Sequence, residues 1–154
     1  MTLFFKKVEH LFTKLLEFII TASLSITVLL TLLQVIYRYI LQQPLPWSQE
    51  ALMISFVYSV LFGAAIAIKN NEHLTVDLFE NLSKPLTLFL DFLQFLVVGM
   101  VIIVLMYYGY ILVMENLQSG QTFASLPIKK AYVYLAIPIS AFFMLFFHIK
   151  KVFS

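Results

Sequence analysis

The stretch that decides the fold is FIITASLSITVLLTLLQVIY, residues 18–37. It contains no Asp, Glu, Lys, Arg or His, and it is long enough to cross a hydrocarbon core of about 30 Å as a helix. Three further runs without charged residues follow at 51–68, 92–114 and 131–147. Because all four runs are continuously apolar and not alternating, they favour helices over the strands of a membrane barrel. The sequence therefore predicts an all-α integral membrane protein with four transmembrane helices.

The composition of the whole chain agrees with this interpretation. Of its 154 residues, 62% are hydrophobic and only 12% are charged, whereas about 25% are charged in an ordinary soluble domain. The absence of cysteine excludes thiol catalysis, iron–sulfur clusters and thiolate zinc sites. The net charge of +2 is too small to indicate a nucleic-acid partner. The high hydrophobic and low charged content exclude a water-soluble globular protein.

The four runs are predicted to form a single four-helix membrane domain over residues 1–154. Its approximate spans are 17–41, 48–69, 86–114 and 131–149. Because the number of spans is even, both termini lie on the same side of the membrane. Of the ten basic residues, all but Arg38, Lys129 and Lys130 fall on that side. Since cytoplasmic loops carry an excess of Lys and Arg, both termini are predicted to be cytoplasmic.

Two segments outside the spans have an amphipathic pattern. Near the N-terminus, apolar residues within 4–16 recur at helical spacing among Lys6, Lys7 and Lys14. A second such pattern occupies 74–82, between the second and third spans. Both are predicted to be short amphipathic interfacial segments at the cytoplasmic surface.

Motifs of enzymes and self-sufficient transporters are missing from the sequence. It has no P-loop, no zinc-binding H-E-x-x-H and no G-x-S-x-G. Its three histidines, His10, His73 and His148, are not at mid-span, which disfavours a membrane haem. We read Pro138 as a helix kink and Asp91 as an acid at headgroup level. The sequence therefore predicts no enzyme, no catalytic residue, no cofactor and no metal site.

The remaining candidate functional residues lie near the ends of the predicted helices. Arg38 closes the first helix, while Trp47 and Glu50 begin the second on the same side. An ion pair between Arg38 and Glu50 is possible across the turn, and Trp47 suits an interfacial anchor. On the other side, His73 and Asp77 are four residues apart and would share one face of a helix. We predict that these five residues form either a subunit interface or structural polar clusters.

Several of these motifs follow one another in an order that resembles the small membrane subunit, or Q-type small permease, of tripartite ATP-independent periplasmic (TRAP) transporters. They are Arg38-Tyr39, Trp47-Ser48-Gln49-Glu50, Gly63-Ala64-Ala65, His73-Leu74-Thr75-Val76-Asp77, Gln121-Thr122 to Leu126-Pro127, Tyr134 and Ile137-Pro138-Ile139. Each motif is short, and their common order and spacing carry the resemblance.

The resemblance implies a scaffold subunit of a secondary transporter in a bacterial inner membrane. Its expected partners are a large TRAP membrane subunit, a periplasmic substrate-binding protein and membrane lipids. The large subunit would carry a carboxylate, of the C4-dicarboxylate or sialic acid type, with sodium ions in an elevator-like movement. We expect the glycine and alanines at 63–65 to serve helix packing within the chain.

Two other function classes remain open at the level of sequence. One is a stand-alone small homodimeric membrane exporter, which would need a mid-helix carboxylate that residues 18–37 lack. The other is a membrane anchor subunit of another complex, such as a redox enzyme, which the positions of the histidines disfavour.

Overall fold

The computed structural model describes residues 2–70 and 84–153. Its helices are α1 (Thr2–Tyr39), α2 (Pro46–Lys69), α3 (Lys84–Ser119), α4 (Lys130–Tyr134) and α5 (Ala136–Phe153). Within these residues four helical stretches are long and apolar enough to cross a membrane, with α4 and α5 together forming the fourth. The predicted all-α fold with four candidate spans is confirmed. The predicted segment at 74–82 lies outside the described residues.

The fourth span occupies the centre of the helix arrangement. α1 packs against α2, α2 packs against α5, and α5 packs against α3. In the described part of the chain, α3 makes its main contacts only with α4 and α5. The fourth span accordingly has the largest buried share, whereas α1 and α3 leave most of their surface free for lipid or another protein.

The N-terminal amphipathic segment continues directly into the first span as one helix. The ring of Phe12 packs edge-on against Phe143 at 5.2 Å and Phe146 at 5.3 Å, between ring centres, and Leu16 is fully buried. Glu9 also forms an ion pair with Lys150 in α5. The start of α1 and the end of α5 therefore meet at one end of the molecule, which we call the terminal end. The turn 40–45 and the loop 120–129 form the opposite end, the loop end.

The break between α4 and α5 has a simple cause. Pro138 has no N–H to donate to the carbonyl of Tyr134, so the helical ladder loses one bond there. The N–H of Leu135 still bonds to Ala131 O at 3.1 Å, and that of Ile139 bonds to Leu135 O at 3.2 Å. The fourth span is thus interrupted at Leu135, while α4 and α5 together still form one candidate span.

The small residues at 63–65 pack within the chain only in part, since Ala65 belongs to the buried core and Ala64 packs against it. Ala65 is fully buried, as expected, but a Cβ added to Gly63 would meet nothing within 4 Å. At Gly109 in α3, an added Cβ would lie only 2.7 Å from Ile137 Cγ2 and 3.3 Å from Pro138 Cδ. The expectation for 63–65 is therefore confirmed at the two alanines and wrong at Gly63, and Gly109 allows α3 to approach Ile137 and Pro138 in the fourth span.

Candidate functional site

Glu50 joins the second helix to the distant loop at the loop end. Its Oε1 accepts hydrogen bonds from the backbone N–H groups of Ala124 at 2.9 Å and Ser125 at 3.2 Å. Its Oε2 accepts from Ser125 at 3.0 Å and Leu126 at 3.0 Å. Successive N–H groups of this kind form a concavity that suits an anion. The carboxylate therefore satisfies three backbone donors at once and ties the loop to the first turns of α2.

The loop that Glu50 holds has a folded shape of its own. Gly120 begins it with a positive φ of 62°, which glycine adopts without steric cost. The N–H of Phe123 donates to Ile128 O at 3.1 Å, and that of Lys130 donates to Gln121 O at 2.9 Å. The side chain of Phe123 is buried and anchors the loop to the helices. The loop is a short hairpin closed by an antiparallel bridge between Thr122 and Lys129.

A second polar contact fixes the turn between α1 and α2. The Nε2 of Gln34 donates to Ser48 Oγ at 2.9 Å and to Gln49 Oε1 at 3.3 Å. Ser48 is fully buried, and its hydroxyl donates to Leu45 O at 2.7 Å. Sequence analysis did not single out Gln34. The available signal was that it is the one amide within the apolar run 18–37, where a polar side chain needs a partner.

The ion pair considered between Arg38 and Glu50 is absent from the described structure, because the backbone of the loop occupies the carboxylate of Glu50. The guanidinium of Arg38 lies 5.9 Å from the ring centre of Tyr39. Arg38 is also one of the residues that line a groove beside the turn 40–45. Trp47 is exposed over 41% of its surface near this end. Arg38 and Glu50 thus make separate contacts at the loop end, Arg38 with Tyr39 and Glu50 with the loop 120–129.

The other two predicted site residues, His73 and Asp77, lie outside the described residues, and their predicted pairing stays a prediction.

Four hydroxyl groups within the spans bond to their own helices, whereas the Tyr58 hydroxyl donates to Tyr132 O at 3.4 Å and so joins α2 to α4. The hydroxyl groups of Thr27 and Thr31 donate to carbonyls one turn earlier, at 2.8 and 2.7 Å. Ser59 and Ser140 do the same, at 2.7 and 2.9 Å. Across residues 2–70 and 84–153, no group of three or more acidic, His or Cys side chains could hold a metal ion. We therefore take the contact of Glu50 with the loop 120–129, at the loop end, as the candidate site.

Comparison with known proteins points to one family. The family model described as "Tripartite ATP-independent periplasmic transporters, DctQ component" matches residues 27–154. This range contains Glu50, Gln34 and the whole of the loop 120–129.

Individual relatives carry related names. The chain is 31% identical to the sialic acid TRAP transporter small permease protein SiaQ of Vibrio cholerae, over 90% of this chain and 80% of that protein. It is 27% identical to a putative TRAP transporter small permease protein of Haemophilus influenzae, over 96% of this chain and 90% of that protein. The sialic acid TRAP transporter permease protein SiaT of Haemophilus influenzae is 27% identical over 73% of this chain but only 18% of its own length.

Proposed function

Because the chain belongs to the family of DctQ components of tripartite ATP-independent periplasmic transporters, as a small permease subunit, we propose that it is the scaffold for a large TRAP membrane subunit. Together they would take up a carboxylate, coupled to sodium ions, that a periplasmic binding protein delivers. The chain itself would contribute surfaces to the complex and no step of the transport chemistry.

The proposed substrate class rests on the names of the relatives. Two are named for sialic acid, and a C4-dicarboxylate TRAP transporter small permease of Vibrio cholerae is 30% identical over 51% of this chain. These ligands share a carboxylate, so the class is proposed without a choice between them.

Pairing with a large permease is supported by the relative named SiaT. Most of this chain aligns with a small part of that much longer permease, so one polypeptide there includes a segment similar to this subunit. The exposed faces of α1 and α3 offer the area that a stable contact in the membrane needs. If these helices stay fixed in the membrane, the large subunit could move its substrate-carrying part relative to them in an elevator-like manner.

We further propose that the subunit lies in the bacterial inner membrane with both termini cytoplasmic. The loop end would then face the periplasm, where Trp47, Glu50 and the loop 120–129 would meet the large subunit or the binding protein. His73 and Asp77 would lie on the cytoplasmic side.

The observation that carries this proposal is the binding of three loop N–H groups by Glu50. It is tested by co-purification with a tagged large TRAP permease. We expect Glu50→Ala to reduce recovery of the complex, because the loop loses the shape that its partner recognises. Arg38→Ala and the double variant with Glu50→Ala would show whether Arg38 contributes independently. Glu115→Ala removes an exposed acid from α3 and reports separately on the proposed contact of that helix. If Glu50→Ala recovers the complex as fully as the unaltered chain, the loop is not part of this interface.

A further inference from the structure

A groove of about 410 Å³ with polar and apolar lining residues lies beside the turn between α1 and α2. The residues that line it are Arg38, Gln34, Gln42, Gln43 and Gln49, together with Pro44 and Leu45. Four amides and one permanent positive charge are an unusual concentration of donors at the end of a membrane helix. The groove is separate from the contact between Glu50 and the loop.

The charge of Arg38 is not neutralised within the described part of the chain. Glu50, the acid nearest to it in sequence, is held by the backbone of the loop. The one ion pair found among residues 2–70 and 84–153 is that of Glu9 with Lys150, at the opposite end of the molecule. An arginine at the edge of the hydrocarbon region is costly unless an anion or water accompanies it. The groove is therefore prepared for an anionic group from outside the chain.

The amides in the groove have hydrogen-bonding capacity to spare. Gln34 uses its NH₂ on Ser48 and Gln49, and Gln49 accepts that bond through Oε1, which leaves its own NH₂ available. Gln42 and Gln43 form no side-chain hydrogen bond among the described residues. A planar guanidinium together with several N–H donors matches the oxygens of a phosphate group.

The surroundings of the groove indicate which phosphate would enter it. Arg38 is in the last turn of a helix that is apolar enough to span the membrane, so it lies at the depth of lipid headgroups. Val35, three residues earlier on the same side of α1, is 48% exposed, and Val28, two turns before it, is 67% exposed. An apolar track therefore runs from the groove towards the centre of the span, where an acyl chain would follow it.

We propose that this groove binds the phosphodiester of a membrane phospholipid, with Arg38 and the surrounding glutamine amides on its oxygens and an acyl chain along α1. This site goes beyond the proposed transport role and does not depend on it. The ligand class is set by the phosphodiester, which zwitterionic and anionic phospholipids share.

The test is native mass spectrometry of the full-length chain, released from detergent micelles that contain phosphatidylglycerol or diacylglycerol of the same acyl chains. The unaltered chain should retain phosphatidylglycerol and release diacylglycerol. Arg38→Gln should retain about tenfold less phosphatidylglycerol, because charge-assisted hydrogen bonds to the phosphate are lost. Lys129→Gln, which removes an exposed cation from the same end, is the control and should retain it normally. Gln43→Leu leaves the charge in place and should weaken retention by a smaller factor, which keeps the test usable if Arg38→Gln folds poorly.

Three results would overturn the proposal. Equal retention of the two lipids would show that no phosphate is recognised. Equal losses in Arg38→Gln and Lys129→Gln would show a general effect of charge. Full displacement of phosphatidylglycerol by an equal concentration of inorganic phosphate would show a site for a free anion, since the acyl chain would then add nothing.

Discussion

At the scale of single residues, Glu50 gains its role from a contact that spans 74 to 76 positions along the chain. A carboxylate has about four acceptor sites, and here they meet three consecutive backbone donors that would otherwise need water. A local ion pair with Arg38 was the simpler expectation because the two residues are close in sequence. The folded loop competes successfully for the carboxylate because it offers several aligned N–H groups.

Replacement of Glu50 by Gln should loosen the loop. The amide keeps one oxygen but loses the charge, and hydrogen bonds to charged groups contribute roughly 1.5–3 kcal/mol each. We expect the amides of Ala124, Ser125 and Leu126 to exchange with deuterium about ten to a hundred times faster, on the basis of that energy.

Hydrogen exchange followed by mass spectrometry measures this change directly. Glu115→Gln is the matched control, because it makes the same chemical change at an exposed acid of the same end. Unchanged exchange at 124–126 in Glu50→Gln would mean that the loop keeps its shape without this carboxylate.

At the scale of elements, the sequence was sufficient to predict the four spans. Long uncharged runs have few alternatives in a membrane, since every backbone polar group must be satisfied within a helix. The order in which the helices pack was not predictable, because lipid and protein interior are equally apolar and hydropathy does not distinguish them. The central place of α5 and the exposure of α3 are properties of the folded arrangement alone. For the same reason, the stripe of small residues at 63–65 drew attention to α2, although the glycines of α3 that approach the fourth span are Gly99 and Gly109.

Replacing glycine by alanine should have opposite effects on stability at Gly109 and at Gly63. Gly109→Ala should destabilise the contact between α3 and the fourth span, because the new Cβ would overlap Ile137. Overpacking of this kind costs about 1–3 kcal/mol. Gly63→Ala meets open space and gains helix propensity, so it should be neutral or slightly stabilising.

Thermal unfolding of both variants in detergent tests this assignment. We expect a lower unfolding temperature for Gly109→Ala and an equal or higher one for Gly63→Ala. The opposite order would place the tight helix contact at Gly63.

At the scale of the whole molecule, both termini share one end and the shaped loop occupies the other. The ion pair of Glu9 with Lys150 and the packing of Phe12 on α5 hold the terminal end together. The distribution of basic residues predicts that the terminal end faces the cytoplasm. His73 and Asp77 likewise remain predictions from sequence.

Orientation is accessible to thiol labelling because the chain has no cysteine of its own. Single cysteines at Gln43 and Ser119, both exposed at the loop end, should react with an impermeant reagent in intact cells. A cysteine at Asn70 should react only after the membrane is permeabilised. Labelling of Asn70 in intact cells, with the other two protected, would reverse the proposed orientation.

The most direct test of the central claim, that this subunit supports transport without performing it, is uptake into proteoliposomes from which one component is omitted at a time. We predict sodium-dependent uptake of a labelled sialic acid or C4-dicarboxylate only when this chain, the large permease and the binding protein are all present. The chain alone should give the background of empty vesicles, because the hydroxyl groups of Thr27, Thr31, Ser59 and Ser140 in its described spans are already bonded to carbonyls of their own helices. Solute flux through vesicles that contain only this chain, or full uptake in its absence, would contradict the account.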